Sequence, residues 1–131
     1  LGLWDLDSGT LIRRLEGHSN WVLAVAVTAD GRRAVSGSFD GTLGLWDLDC
    51  GTLLRRLEGH TGAVTAVALL ANDRLAVSAS SDRTLRLWDL ASGVCLAIAG
   101  CDHVLNAVAA AGPVVIAGDN GGLLHVFDFL A

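Results

Sequence analysis

Apolar residues along this chain come in short runs, each four to eight residues long, cut by turn-forming clusters at regular intervals. Residues 21–28 read WVLAVAVT, a β-branched and apolar run that ends at Ala29-Asp30-Gly31. Residues 33–38 follow as RAVSGS, then Phe39-Asp40-Gly41, then residues 43–47 as LGLWD, then Asp49-Cys50-Gly51, then residues 53–58. An aspartate-glycine pair between two apolar runs is a strong hairpin signal. The pattern predicts four strands joined by tight turns at 21–28, 33–38, 43–47 and 53–58. It predicts four more at 64–70, 74–79, 84–89 and 94–99, and three at 104–110, 114–118 and 123–128. Two further strands, 1–5 and 11–16, open the chain. No window carries the 3.6-residue period of an amphipathic helix. The expected fold is all-β.

The pattern is also periodic. Residues 43–60, LGLWDLDCGTLLRRLEGH, occur first at 1–18 as LGLWDLDSGTLIRRLEGH, changed only at Ser8/Cys50 and Ile12/Leu54. A looser copy runs from Leu85. Trp4, Trp46 and Trp88 are 42 residues apart, Phe127 follows 39 later, and His18 and His60 are again 42 apart. The repeat divides the chain into a half unit at 1–16, full units at 17–58 and 59–99, and a shorter last unit at 100–131. Periods of 40–45 residues mark architectures in which each unit buries its apolar face against the next.

Gly17-His18, Gly59-His60, Trp46-Asp47, Trp88-Asp89 and the unpaired Trp4-Asp5, at this spacing, resemble the WD-repeat (WD40) β-propeller family over the whole chain. The resemblance implies blades of four antiparallel strands stacked around an axis. The chain would then hold about three blades of an incomplete ring. It also implies that His18, Ser36, Asp40 and Trp46, and again His60, Ser78, Asp82 and Trp88, form structural hydrogen-bond tetrads. The chemistry agrees. A buried indole N–H is donor-only and needs an acceptor, which a serine hydroxyl provides while donating onward to histidine, and histidine in turn to aspartate. Serine, histidine and aspartate together also suggest a hydrolase. The set occurs twice at identical offsets, however, and the serine is occupied by tryptophan. No catalytic residue is therefore expected, and the chain is read as no enzyme. The last unit carries Cys101, Ala117, Gly121 and Phe127 at the four tetrad positions. Losing all four together leaves no polar member orphaned.

Composition narrows the function classes. Net charge is −5, the nine basic residues are all arginine, and 52% of residues are hydrophobic. A mildly acidic chain without a basic stripe is not expected to bind nucleic acid. The longest charge-free run, 103–118, falls short of the roughly 20 apolar residues of a spanning helix, so no membrane segment is expected. Cys50, Cys95 and Cys101 are odd in number and share no metal spacing. They read as reduced thiols, which places the chain in the cytoplasm. His103 and His125 have no ligand-spaced partners, so neither metal nor cofactor is expected. Arg13-Arg14 and Arg55-Arg56 lie on outer strands, where charge deters edge-to-edge pairing. Residues 94–99, VCLAIA, lack that protection.

The expected function is a non-enzymatic scaffold for protein partners. By the same resemblance the partner-binding rim carries residues three and five after the motif histidine and one before the turn aspartate. These are Trp21, Leu23 and Phe39, then Ala63, Thr65 and Ser81, then Val104, Asn106 and Asn120. Exposed aromatics such as Trp21 and Phe39 are the residue types that dominate binding energy. The near-identical repeats and the ending VVIAGDNGGLLHVFDFLA resemble the C-terminal propellers of bacterial NACHT-type signalling NTPases, which implies sensing or autoinhibition. No nucleotide-binding motif lies in these 131 residues. Three blades are fewer than the four to eight of a closed propeller. One reading makes the chain part of a longer polypeptide, since it begins in mid-repeat and lacks methionine. The other has two or three copies complete a ring as a structural homo-oligomer.

Overall fold

The computed structural model describes residues 1–70, 72–111 and 114–128; Gly112-Pro113, which interrupts the charge-free run 103–118, and residues 129–131 lie outside them. The described residues are all-β. Thirteen strands form four antiparallel sheets in sequence order. The first is the hairpin β1 (Gly2–Asp5) and β2 (Thr10–Arg14). The second holds β3 (Val22–Val27), β4 (Arg33–Ser38), β5 (Leu43–Asp47) and β6 (Thr52–Leu57). The third holds β7 (Val64–Leu70), β8 (Leu75–Ser80), β9 (Thr84–Asp89) and β10 (Cys95–Gly100). The last holds β11 (Leu105–Ala111), β12 (Val114–Asp119) and β13 (Leu124–Asp128). Within each sheet, strands neighbouring in sequence pair, as two- to five-residue turns demand. Most strands match the sequence expectation within a residue at either end, where pairing frays.

Sheets do not pair edge to edge. They stack face to face, with the innermost strands β3, β7 and β11 adjacent to one another. The core consequently lies between sheets. Val35, Leu43, Leu45 and Leu57 of the second sheet meet Val64, Ala76, Trp88 and Leu90 of the third. Val77, Leu85 and Leu87 of the third meet Leu105, Val115 and Ala117 of the last. Leu15, with Leu1 and Leu3, packs on Ala34, Trp46 and Leu48. The third sheet is covered on both faces, by the second and the last, whereas the second is covered on one face by the third and on the other only in part by the hairpin. β7, in the middle, is at least half covered along its whole length, whereas β3 alternates and exposes Leu23, Val25 and Val27. The stack is an arc of propeller blades that does not close into a ring.

Polar ties cross the same gaps. Arg55 of β6 donates from Nη1 to the Ser92 carbonyl at 3.1 Å and from Nη2 to the Ala91 carbonyl at 2.9 Å, in the β9–β10 turn. Gly93 makes this possible: its φ is 77°, and a Cβ there would stand 2.8 Å from Arg55 Cδ. Within its own unit, Arg56 donates to the Gly17 carbonyl and ties β6 to the segment that leads into β3. These arginines therefore do more than charge an edge, the role their position on an outer strand suggested. Asp73 accepts from Ala29 N–H at 2.7 Å, joining the inner turns of the two full blades.

Candidate functional site

Two buried relays run through the full blades. In the second sheet Trp46 Nε1–H donates to Ser36 Oγ at 2.8 Å. The Ser36 hydroxyl meets His18 Nε2 at 2.6 Å, and His18 Nδ1 meets Asp40 Oδ2 at 3.1 Å. In the third sheet the matching distances are 2.9 Å for Trp88–Ser78, 2.6 Å for Ser78–His60 and 2.8 Å for His60–Asp82. The partners set the tautomer. Each serine oxygen already accepts from indole, so its proton goes to histidine Nε2, and Nδ1–H donates to the carboxylate.

A fifth member, which the sequence reading did not single out, completes each relay. Thr42 and Thr84 donate from Oγ1 to Oδ1 of Asp40 and Asp82, both at 2.6 Å, and from their backbone N–H at 2.9 Å. Burial alone would raise these carboxyls. Threonine, histidine and the N–H groups of Ser19 or Thr61 outweigh it, holding Asp82 down to about 2 and Asp40 well below the usual carboxylate range. His60 is lowered by burial, against the pull of Asp82, with Arg86 adding to the depression. A neutral imidazole suits the relay, because a protonated one has no lone pair to accept the serine proton.

The last sheet is built differently. Cys101 and Ala117 stand at the histidine and serine positions, and burial, reinforced by Asp119 and Asp102, raises the Cys101 thiol. A second polar centre replaces the relay. Asp119, at the position of Ser38 and Ser80, has a side chain wholly out of solvent. Its Oδ1 accepts from Gly121 and Leu123 N–H at 2.8 and 3.0 Å, and Oδ2 meets His125 Nε2 at 2.7 Å. The His125 bond leads the effects that hold Asp119 below the usual carboxylate range. His125 stacks on Phe127 with ring centroids 6.3 Å apart. Sequence spacing had left His125 without a partner. The signal was present in the column Ser38, Ser80, Asp119.

The rim positions lie at the starts of the inner strands β3, β7 and β11 and just after β4, β8 and β12, blade by blade. Leu23, Thr65 and Asn106 are each the extra residue at a bulge in β3, β7 and β11. A bulge re-aims its side chain, and the three serve differently. Thr65 Oγ1 lies 2.6 Å from the Leu105 carbonyl and 3.2 Å from the Ala79 carbonyl, so its hydroxyl is committed within the stack. Asn106 Nδ2 donates to Asn120 Oδ1 at 2.6 Å on the surface. Leu23 is partly open beside Val25 and Val27. Ser81 N–H donates to the Ala63 carbonyl at 3.0 Å.

Trp21 and Phe39 are the prominent pair. They are 74% and 54% exposed, and their rings meet edge to face with centroids 6.3 Å apart. The Trp21 carbonyl accepts from Phe39 N–H and from Ser38 Oγ, both at 2.8 Å, and Trp21 N–H donates to Asn20 Oδ1 at 2.8 Å. The backbone thus sets the two residues side by side, and their rings border a shallow apolar cleft with Asn20. Among the described residues no group of three His, Cys, Asp or Glu side chains is arranged to hold a metal ion. No described helix is long and apolar enough to cross a membrane.

Stacked four-stranded antiparallel sheets, each pinned by a tryptophan–serine–histidine–aspartate relay, define a β-propeller module of the kind that presents surfaces to proteins. The family WD40, described as WD domain, G-beta repeat, matches residues 9–47 and 51–89. The chain belongs to this WD-repeat family. It is also similar to an uncharacterized WD repeat-containing protein of Schizosaccharomyces pombe, 46% identical over 37 residues, which is 28% of this chain and 9% of that protein. The match thus spans a small part of that relative's length.

Proposed function

We propose that the chain is an interaction scaffold whose partner-binding surface centres on Trp21 and Phe39. The observation that carries this reading is the pair itself: two large aromatics, mostly solvent-exposed, in edge-to-face contact on backbone joined by a hydrogen bond. Rigid aromatic anchors bind at low entropic cost and dominate interface energies. Ser81 and the Asn106–Asn120 pair extend the surface with polar groups across the neighbouring blades, while Leu23 widens its apolar part. The partner is a protein, met in the cytoplasm. The scaffold acts as the sensing or regulatory propeller of a larger signalling protein, in keeping with the NACHT-type resemblance of its repeats and ending. Capture of partners from source-cell extract by the wild-type chain and by Trp21→Ala/Phe39→Ala, read by quantitative mass spectrometry, tests it. Equal recovery with both would end this reading.

A second reading, ring completion between copies, rests on the open ends of the stack. Val25 and Val27, beside a groove lined by Leu1, Leu3, Leu15, Ala34 and Leu48, face outward at one end. Ile116, Leu124 and Val126 do so at the other. These are the two kinds of face that meet inside the chain. A single dimer or trimer mass in light scattering that Val25→Asp/Val27→Asp reduces to monomer is the expected result.

A further inference from the structure

The outermost strand of the third sheet differs from its two counterparts in one respect. Thr10-Leu11-Ile12-Arg13-Arg14 and Thr52-Leu53-Leu54-Arg55-Arg56 correspond to Val94-Cys95-Leu96-Ala97-Ile98. All three polar positions have become apolar. β10 is the edge of its sheet, bonded on one side to β9 and on the other, among the described residues, to no strand. Val94, Leu96 and Ile98 are 53%, 52% and 58% exposed in a row along it. Where Arg56 reaches back to the Gly17 carbonyl, Ile98 leaves an open apolar stripe.

An edge strand that is uncharged, β-prone and free of proline is a template for one more strand. We propose that β10 is a pairing edge at which two copies of this chain join across a two-fold axis, antiparallel, so that the two third sheets run on as one. The occupant must be a strand of similar length without charge, and β10 is itself such a strand. Two-fold pairing sets each strand against its own copy. For β10 this brings Leu96 and Ile98 opposite apolar residues. For β6 it would bring Arg55 and Arg56 close to their copies, and like charges facing across strands are destabilising. With a net charge of −5, copies repel over most of their surface, which favours contact at this neutral edge. The site lies on the outer perimeter, away from the Trp21–Phe39 rim and from the open end faces, so it is independent of the scaffold reading and stands against ring completion as the contact between copies.

The test uses the 131-residue chain, with hydrogen exchange and light scattering read together at low and high concentration. The expected result is a dimer whose amides in residues 95–100 exchange about tenfold or more slowly at high concentration, while other edges are unchanged. Ile98→Arg restores the residue that the other two repeats carry at an exposed position. It should abolish both the dimer and the concentration dependence while leaving the near-ultraviolet signal of the tryptophans intact. Val94→Thr/Ile98→Arg serves as a second variant with the same expectation. A monomer at all concentrations overturns the proposal. So does association that persists in Ile98→Arg, or that leaves exchange in 95–100 unchanged, since such association would belong to the end faces.

Discussion

Gly37 of β4 lies so close to Val64 of β7 that a methyl group at Gly37 would stand 2.5 Å from Val64 Cγ1. The two residues belong to different blades, and Val64 is fully buried in the core between them. This is the tightest approach between the two full sheets that a single added carbon would disturb. It accounts for a glycine at a position occupied by Ala79 in the next repeat. Gly37→Ala is therefore expected to lower stability by about 1–3 kcal/mol, the usual cost of overpacking. Chemical denaturation with and without Val64→Ala checks it, because the smaller residue at 64 should recover part of the loss.

Removing the middle of a relay should cost more than removing an exposed polar group. Ser78→Ala leaves Trp88 Nε1–H and His60 Nε2 without their partner, both buried. Each orphaned group costs about 1–3 kcal/mol. The combined replacement His60→Cys/Ser78→Ala/Asp82→Gly/Trp88→Phe copies the set found in the last unit and leaves no buried relay member unpaired; only the less buried Thr84 and Thr61 donors lose Asp82. Beyond its loss of packing it should cost less per residue replaced than Ser78→Ala alone. Urea unfolding midpoints of the two variants decide.

Acid should weaken the chain through His60. Its folded pKa lies below the ordinary 6.5, chiefly because of burial. The unfolded state therefore binds a proton first as pH falls, so the stabilisation is complete above 6.5 and is lost as pH drops through the lower folded value. Asp82, ordinary value 3.8 and about 2 when folded, adds a second loss between those two values. Melting temperature should fall from pH 7 to pH 5, and His60→Gln should flatten that slope while lowering the melting temperature at pH 7.

Trp21→Ala should behave oppositely to these core changes. The ring is 74% exposed, so stability should move by no more than about 0.5 kcal/mol. Partner affinity should fall by about 2 kcal/mol or more, roughly thirtyfold, as for an interface anchor. Calorimetric melting and a binding titration with a captured partner separate the two effects.

Asp119→Asn should loosen the end of the last sheet. An amide oxygen can still accept from Gly121 or Leu123 N–H, but the charge that draws His125 is gone. Exchange of the amides in 119–125 should quicken, and that of β7 should not.

Strand positions were legible because turns and apolar runs alternate on a fixed period, and because β4 and β8, in the middle of their sheets, are buried on both faces. The relays were legible because donor-only indole and a repeated Ser–His–Asp offset leave few other arrangements. Thr42 and Thr84 were missed because threonine after a turn looks like an ordinary strand start. Thr65 was placed on the rim by position, but its hydroxyl is drawn inward by the Leu105 carbonyl, a group that only the neighbouring blade supplies. Asp119–His125 was missed because the last unit was matched to the tetrad positions alone, whereas its carboxylate had moved two residues upstream of Gly121.

With cysteine at position 101, the last sheet has no imidazole locked to a serine at its heart. Its footing is the middle sheet, on which Leu105, Val115 and Ala117 lean. Whatever unsettles that middle sheet should therefore carry the end of the chain with it.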